Sequence, residues 1–322
     1  MRKKSIAITS LVVLLTGIGQ ARSPITLDAL RRDGYGVVTI KHPRPNELVV
    51  HATINDRPVE LIIDTGWGGK GIALNQDLAR ALKLKAKPLP DGYTWTGAKI
   101  GNAVAMGGRV LLGNALITDV PLFFGNLEGL RMYDNLAAIG SLVPVQRGGA
   151  GGIVTNGFLH ATSAIIDLIN LQLYLRPPAI GHRAIIGPVL KEIGLAEVPL
   201  TITADYHFIV DAEVNGETGK MLIDTGGYLT ILQRQFAARA KTGWNSTKIQ
   251  LFDAAGKKSM TDLVNVRSFK IAGVPVDRPD ATIASATFGP GVVGTIGMDV
   301  LGQNKMIIDC GEKKLYFAAR QR

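Results

Sequence analysis

Short apolar runs separated by tight-turn residues recur along the chain, and their spacing predicts β-strands. Two strand–turn–strand patterns stand out, one around the turn Asn55-Asp56 and one around Asn215-Gly216. Short helical patterns are predicted at residues 75–84 and 233–240, and Asn75 is a candidate N-cap for the first of them. The pattern therefore predicts an all-β protein with short helices.

The two strand–turn–strand patterns belong to an internal repeat. Residues 30–66 align with residues 190–226 without a gap, and 10 of the 37 pairs are identical. A second alignment places residues 165–174 on residues 307–316. Its offset is shorter than that of the first alignment, so the first half is longer than the second. We expect two similar lobes that face each other across a pseudo-twofold axis.

The domain boundaries follow from the repeat and from composition. The first lobe is expected over residues 22–178 and the second over 190–322, with a linker rich in proline and glycine at 179–189. Residues 147–157 hold five glycines and are interpreted as a flexible insertion in the first half.

Each half contains an apolar strand that ends in Asp-Thr-Gly. A buried strand followed by an acid is costly unless the carboxylate accepts hydrogen bonds, and a glycine allows the tight turn that directs an N–H to it. The threonine supplies a hydroxyl that can bond across to the other loop. The two copies comprise Asp64, Thr65 and Gly66 in the first half and Asp224, Thr225 and Gly226 in the second.

Two such loops placed face to face bring their carboxyl groups within about 3 Å, so that the groups share a proton. The ionised partner can then act as a general base on a water molecule, while the protonated partner polarises a carbonyl group. The alternative is a pair of structural turn aspartates without a catalytic role.

The paired motif resembles the retropepsin-like and pepsin-like aspartic peptidases, most closely the bacterial secreted type with two fused halves. The resemblance implies a bilobal double barrel, Asp64 and Asp224 as catalytic residues, a peptide or protein substrate and no cofactor. It further implies a substrate-covering hairpin after the first motif, for which Tyr93 and Trp95 are the candidates.

The family also has an apolar-apolar-Gly segment behind each catalytic loop. Residues 295–301 fit that segment in the second half. In the first half Ile139-Gly140 is preferred over Val154-Thr155, because the latter lacks the glycine. The residue after each motif, Trp67 or Gly227, departs from the family's usual Ser, Thr or Ala. Without that hydroxyl we expect an activity maximum at about pH 5–6 rather than at strongly acidic pH.

Composition narrows the remaining classes of function. The formal charge is +10, from 36 basic and 26 acidic residues, but no basic run indicates nucleic-acid binding. The single cysteine excludes an internal disulfide framework. The five histidines lack metal-ligand spacing, so no metal site is predicted and each is interpreted as a surface or packing residue.

The N-terminus has the pattern of a secretory signal peptide at residues 1–21. Three basic residues precede a short apolar stretch, and small residues follow at the expected cleavage site. This predicts a secreted or periplasmic protein without stable membrane insertion after leader removal. The sequence thus predicts a monomeric aspartic endopeptidase, and the rival is a catalytically inactive peptide-binding protein with the same fold.

Overall fold

The computed structural model describes residues 27–42, 47–130, 150–178 and 186–320. The predicted signal peptide and the Ile139-Gly140 pair lie outside these residues, as does the first part of the predicted linker. The second part of that linker is helical, because a helix begins at Ile186.

Strands dominate both halves, and the helices are short. In the first half the strands are β1 (Gly36–Thr39), β2 (Val49–Ile54), β3 (Arg57–Asp64), β4 (Ile72–Asn75), β5 (Lys87–Pro88), β6 (Ala103–Leu112), β7 (Ala115–Gly125), β8 (Gly152–Thr155), β9 (Ile165–Asp167) and β10 (Gln172–Leu175). In the second half they are β11 (Leu195–Pro199), β12 (Thr201–Ile202), β13 (Phe208–Val214), β14 (Glu217–Ile223), β15 (Ile231–Gln233), β16 (Gly243–Phe252), β17 (Lys258–Asn265), β18 (Phe269–Ile271), β19 (Val274–Pro275), β20 (Asp280–Ala284), β21 (Val292–Ile296), β22 (Ile307–Asp309) and β23 (Lys314–Ala318). The helices are α1 (Leu27–Arg32), α2 (Gln76–Ala81), α3 (Asn156–Ala161), α4 (Ile186–Glu192), α5 (Arg234–Arg239) and α6 (Met298–Leu301).

One antiparallel sheet joins the two halves at the base of the molecule. Its strand order is β1-β10-β9-β22-β23-β11. The first half contributes the first three of these strands, and the second half contributes the other three. The halves meet where β9 pairs with β22, with Ile166 opposite Ile308. These two residues are also equivalent in the second alignment of the sequence repeat, as expected for strands related by a pseudo-twofold axis.

The first lobe is a closed barrel. Its strands follow the order β2-β3-β8-β4-β7-β6-β5, and an additional pairing of β2 with β6 closes the ring. The β2–β3 hairpin turns at Asn55 and Asp56, both with positive φ, as the sequence predicts. The second lobe repeats this core order, with β21 between β14 and β15, and β13 beside β14. The predicted all-β bilobal fold is thereby confirmed.

The glycine-rich segment of the first half is a buried strand, so its interpretation as a flexible insertion was wrong for residues 150–157. β8 lies between β3 and β4, and all four of its residues are buried. Glycine suits this position because a Cβ at Gly151 would lie 2.7 Å from the Val59 side chain, and one at Gly152 would collide with the Ala73 carbonyl. The extra length of the first half lies between β7 and β8, a connection of residues 126–151 that compares with 285–291 in the second half.

Apolar side chains fill both lobes and continue beneath the groove between them. One buried cluster runs through the two lobes and contains Ile63 and Ile223, the residues that precede the two aspartates. A separate cluster around Ile62, Ile100 and Ile153 lies in the first lobe, with Trp67 packed against it. Among the residues that the structure describes, no helix combines the length and apolar character needed to cross a membrane.

Candidate active site

Two loops place the Asp-Thr-Gly motifs at the interface of the lobes. The first motif loop (residues 64–71) follows β3, and the second (residues 224–230) follows β14. In each lobe the strand before the motif has a parallel partner, with Ile63 paired to Val154 and Ile223 paired to Ile296. The strand register therefore places Val154-Thr155 in the role for which Ile139-Gly140 was preferred, and that preference was wrong. The preference relied on the presence of a glycine, but in this lobe a threonine takes the corresponding position.

The two threonines lock the loops together by a symmetric set of hydrogen bonds. The Thr65 hydroxyl donates to the Ile223 carbonyl at 2.8 Å and accepts from the Thr225 N–H at 3.0 Å. The Thr225 hydroxyl donates to the Ile63 carbonyl at 2.8 Å and accepts from the Thr65 N–H at 3.0 Å. Both threonines are buried, so four backbone groups of the loops find their partners here.

The carboxyl groups of Asp64 and Asp224 meet between the loops, each packed against the glycine of the opposite motif and close enough to shift the pKa of the other. The Gly66 N–H donates to Asp64 Oδ1 at 2.8 Å. Asp224 Oδ1 accepts from the N–H groups of Gly226 at 3.1 Å and Gly227 at 2.8 Å. Each glycine also leaves room for the opposite acid, since a Cβ at Gly66 would lie 2.5 Å from Asp224 Oδ1.

The two carboxyl groups have raised pKa values for the same leading reason. Burial raises the pKa of Asp64 well above its usual range, and the nearby charge of Asp224 raises it further. Burial also raises the pKa of Asp224, against the Gly227 and Gly226 N–H donors and the positive charge of His207. The pair therefore titrates as a unit that shares one proton.

The two motif loops are supported by different chemistry. Behind the second loop, the Gly297 N–H donates to the Thr230 hydroxyl oxygen at 3.2 Å, and that hydroxyl donates to Asp299 at 2.8 Å. Behind the first loop, the Thr155 hydroxyl lies 2.8 and 2.7 Å from the carbonyl oxygens of Gly69 and Gly71.

The first loop is also longer than the second. Ala73 and Ile231 occupy matching positions in the sheet register. The sequence repeat, carried past the motifs without a gap, would instead match Ala73 with Gln233, two positions further on. The Thr155 hydroxyl therefore supports a longer loop than the one that Gly297 supports.

The dyad lies at the floor of a cleft of about 1210 Å³ between the lobes. Both Asp64 and Asp224 line it, together with many apolar side chains from the two lobes. The Trp67 indole packs against the apolar cluster of the first lobe and forms part of the cleft wall. It therefore does not separate the two acids, and Gly227 leaves the second acid equally open to the cleft.

A hairpin of the first lobe covers the cleft. Tyr93 pairs with Lys99, and the turn between them ends at Gly97, which has φ +74°. Tyr93 and Trp95, the predicted substrate-binding residues, both line the cleft.

The tip of this hairpin is bound to the β16–β17 turn of the second lobe. The buried Asp253 side chain accepts from the hydroxyls of Thr94, at 2.6 Å, and Thr96. The Lys257 ammonium group donates to the Thr96 carbonyl at 2.9 Å. The two lobes therefore meet above the cleft as well as below it.

His207 also lies in the cleft, which corrects its interpretation as a surface or packing residue. One ring nitrogen, Nε2, lies 3.0 Å from the Gly66 carbonyl oxygen, and the other, Nδ1, lies 3.0 Å from Asp205 Oδ2. The internal repeat is the sequence feature that could have identified His207, because position 207 aligns with Glu47 and both residues line the cleft.

The predicted N-cap Asn75 is wrong in detail, because its side chain makes no cap hydrogen bond and donates to Glu128.

Comparisons with known proteins agree with this geometry. Residues 210–300 match the aspartyl protease family. No curated protein matches the chain in sequence. Among solved structures, an aspartic proteinase from Irpex lacteus superposes with a TM-score of 0.51 at 14% identity, covering 89% of this chain and 98% of that chain. Basic 7S globulin from soybean gives a TM-score of 0.46 at 11% identity, covering 89% and 95%.

The family match covers the second motif loop and its supporting strand, and the likeness in fold extends over both lobes. With an Asp-Thr-Gly loop from each lobe meeting at one cleft, the chain has the fold of the aspartic proteinases, and its residues 210–300 match the aspartyl protease family.

Proposed function

We propose that the protein is an aspartic endopeptidase that hydrolyses peptide bonds with Asp64 and Asp224. The observation that carries this proposal is the close pair of carboxyl groups at the floor of an open cleft. Because only one proton is favoured between them, the pair offers an acid and a base at the same point. That is what the addition of water to a peptide carbonyl requires.

In this mechanism one carboxyl group of the Asp64–Asp224 pair is ionised and the other holds the shared proton. The ionised group removes a proton from a water molecule held between the carboxyl groups, and the protonated group donates its proton to the carbonyl oxygen of the substrate. The water attacks directly, so no covalent intermediate forms. Collapse of the tetrahedral intermediate then needs a proton on the leaving amine, which the protonated base supplies.

The cleft favours an extended peptide with apolar side chains beside the scissile bond. Ile62, Ile100 and Phe123 line one wall, and Leu222 and Ile231 line the other. The hairpin that carries Tyr93 covers this space. Both catalytic loops come from one chain, so a monomer is sufficient for activity.

The direct test compares the purified wild type with Asp64→Asn and Asp224→Asn on denatured casein, with peptide products followed by mass spectrometry. Each variant keeps the shape of the side chain but removes an ionisable group, so we expect a loss of at least about 10³-fold in kcat/KM. Asp119→Asn is the matched control, because Asp119 is exposed and has a positive φ that asparagine tolerates.

The experiment also tests the alternative of an inactive peptide-binding protein. If the wild type and both variants bind peptides with similar affinity and none cleaves them, the endopeptidase proposal is wrong. Cleavage that survives in both variants would contradict the dyad.

Export is part of the proposal and rests on residues 1–21 alone. Expression of the full chain in a bacterial host should yield a processed protein that begins at Arg22. Intact-mass measurement of the protein from the periplasm or medium tests this, and an unprocessed cytoplasmic product would contradict it.

A further inference from the structure

His207 stands in a position that only a protonated imidazole ring satisfies. Its Nδ1 faces the Asp205 carboxylate and its Nε2 faces the Gly66 carbonyl oxygen, each at 3.0 Å. Both partners accept hydrogen bonds and neither can donate one. A neutral imidazole carries a single N–H, so it would leave one of these contacts without a proton. The geometry therefore selects the imidazolium cation.

The turn that carries His207 is built to hold this contact. The Thr203 hydroxyl accepts from the His207 N–H at 2.9 Å and donates to Asp205 Oδ1. The pKa of Asp205 is lowered despite its partial burial, through the Thr203 hydroxyl and then the charge of His207. The side chain of His207 is 21% exposed, whereas that of Asp205 is 70% exposed, so the ring is the more enclosed member of the pair.

The first motif loop packs tightly on this turn. A Cβ at Gly68 would lie 2.5 Å from the Asp205 carbonyl oxygen and 3.3 Å from the His207 ring. The Asn156 side chain, at the end of β8, donates to the Tyr206 carbonyl. Gly68 lies in the longer first loop, whose two additional residues bring that loop to the second lobe.

His207 reaches the catalytic pair through one peptide group. The Gly66 carbonyl that accepts from His207 belongs to the same peptide unit as the Trp67 N–H. That N–H donates to the Asp64 main-chain carbonyl oxygen at 3.3 Å and also acts to lower the pKa of the Asp64 carboxyl group. A cation on the carbonyl side polarises the peptide and strengthens the N–H as a donor. The same charge acts directly on Asp224 across the interface.

We propose that His207, held as a cation by Asp205, is a positioning residue of the catalytic pair that orients and polarises the Gly66–Trp67 peptide. This inference rests on the proposed function and assigns to the Asp205–His207 pair the support that a hydroxyl after the motif would otherwise give. The other titratable or charged groups around the site include the two acids themselves, Glu47, Lys70, Tyr206 and His160.

The test combines the pH dependence of kcat/KM with a ¹³C NMR titration of the aspartate carboxyl groups, in wild type and His207→Gln. Glutamine can still donate to the Gly66 carbonyl but carries no charge. We expect the acid limb of the rate profile and the first titration midpoint of the pair to move to higher pH by about 0.5–1 unit. His51→Gln is the matched control, since His51 is exposed on β2 and is absent from the cleft lining.

A second variant, Asp205→Asn, covers the case in which His207→Gln does not fold. It keeps the ring but removes its carboxylate partner, so the titration should shift in the same direction. ¹⁵N NMR of the His207 ring in wild type, at the pH where kcat/KM is highest, tests whether both nitrogens carry a proton, as their two acceptor partners require.

Titration midpoints that do not move in either variant would overturn the inference, and so would a neutral His207 ring or a uniform loss of kcat at every pH. The NMR measurements need no turnover. If the wild type cleaves nothing, the proposed function fails while the inference about the carboxyl pair is still decided by the midpoints.

Discussion

Replacing Thr94 and Thr96 together by valine should release the hairpin from the second lobe without unfolding the protein. Asp253 Oδ2 accepts from both hydroxyls, and its other oxygen accepts the N–H groups of Ala255, at 3.0 Å, and Lys257, at 2.8 Å. A hydrogen bond to a charged group contributes about 1.5–3 kcal/mol. Water can reach Oδ2 once the hairpin opens, so we expect the closed state to lose about 2–4 kcal/mol.

Amide hydrogen exchange measured by mass spectrometry reports this change directly. Exchange over residues 89–100 should accelerate roughly 30- to 700-fold in the double variant, since about 1.4 kcal/mol corresponds to a factor of ten. The contact between the Gly129 N–H and the Ala254 carbonyl remains, so global stability should change little. Thr118→Val, at an exposed position of β7, is the control. Unchanged exchange in the hairpin would refute the role of Asp253, and equal acceleration throughout the chain would show general destabilisation instead.

Three further predictions concern the motif loops. Thr65→Val leaves the Thr225 N–H and a buried carbonyl without partners and should lower the free energy of unfolding by about 2–5 kcal/mol, whereas Thr65→Ser should retain most of it, as measured by urea denaturation. Gly226→Ala places a methyl group against the Asp64 carboxyl group and should abolish activity in the casein assay with little loss of secondary structure by circular dichroism. Because the pKa of Asp64 is raised on folding, and that of Asp299 is raised to about 6 by burial, the folded chain binds more protons than the unfolded chain above about pH 4. The stabilisation that these two raised pKa values give the folded chain is fully present below that pH, and it is lost as the pH rises through the raised values. Asp299→Asn should therefore flatten the dependence of melting temperature on pH between about 4 and 6, and a parallel curve would contradict the sign.

The part of the site that could be predicted from sequence is the part encoded by contiguous residues. Asp-Thr-Gly after an apolar strand specifies its own local turn, and the repeat spacing showed that two such turns face each other. The loop contacts of Thr65 and Thr225 follow from that symmetry. The all-β lobes and the hairpin turn at Asn55-Asp56 were predictable for the same reason.

The missed features depend on partners that are distant in the chain. His207 bonds to a residue 141 positions away, and Asp253 bonds to Thr94 across 159 positions. Neither contact has a local pattern. β8 was missed for a different reason, because glycine has a low strand propensity. At Gly152 the absence of a side chain allows the backbone of the neighbouring β4 to approach closely.

The pairing of β9 with β22 has a consequence for how the molecule comes apart. If the chain is cut between Pro178 and Ile186, each fragment keeps its own barrel-like core but presents an unsatisfied row of N–H and C=O groups along the severed seam. Neither fragment alone would complete the base sheet, and each presents the strand edge with which the other pairs. The two pieces should therefore reassemble when mixed, and the nicked protein should melt as one body.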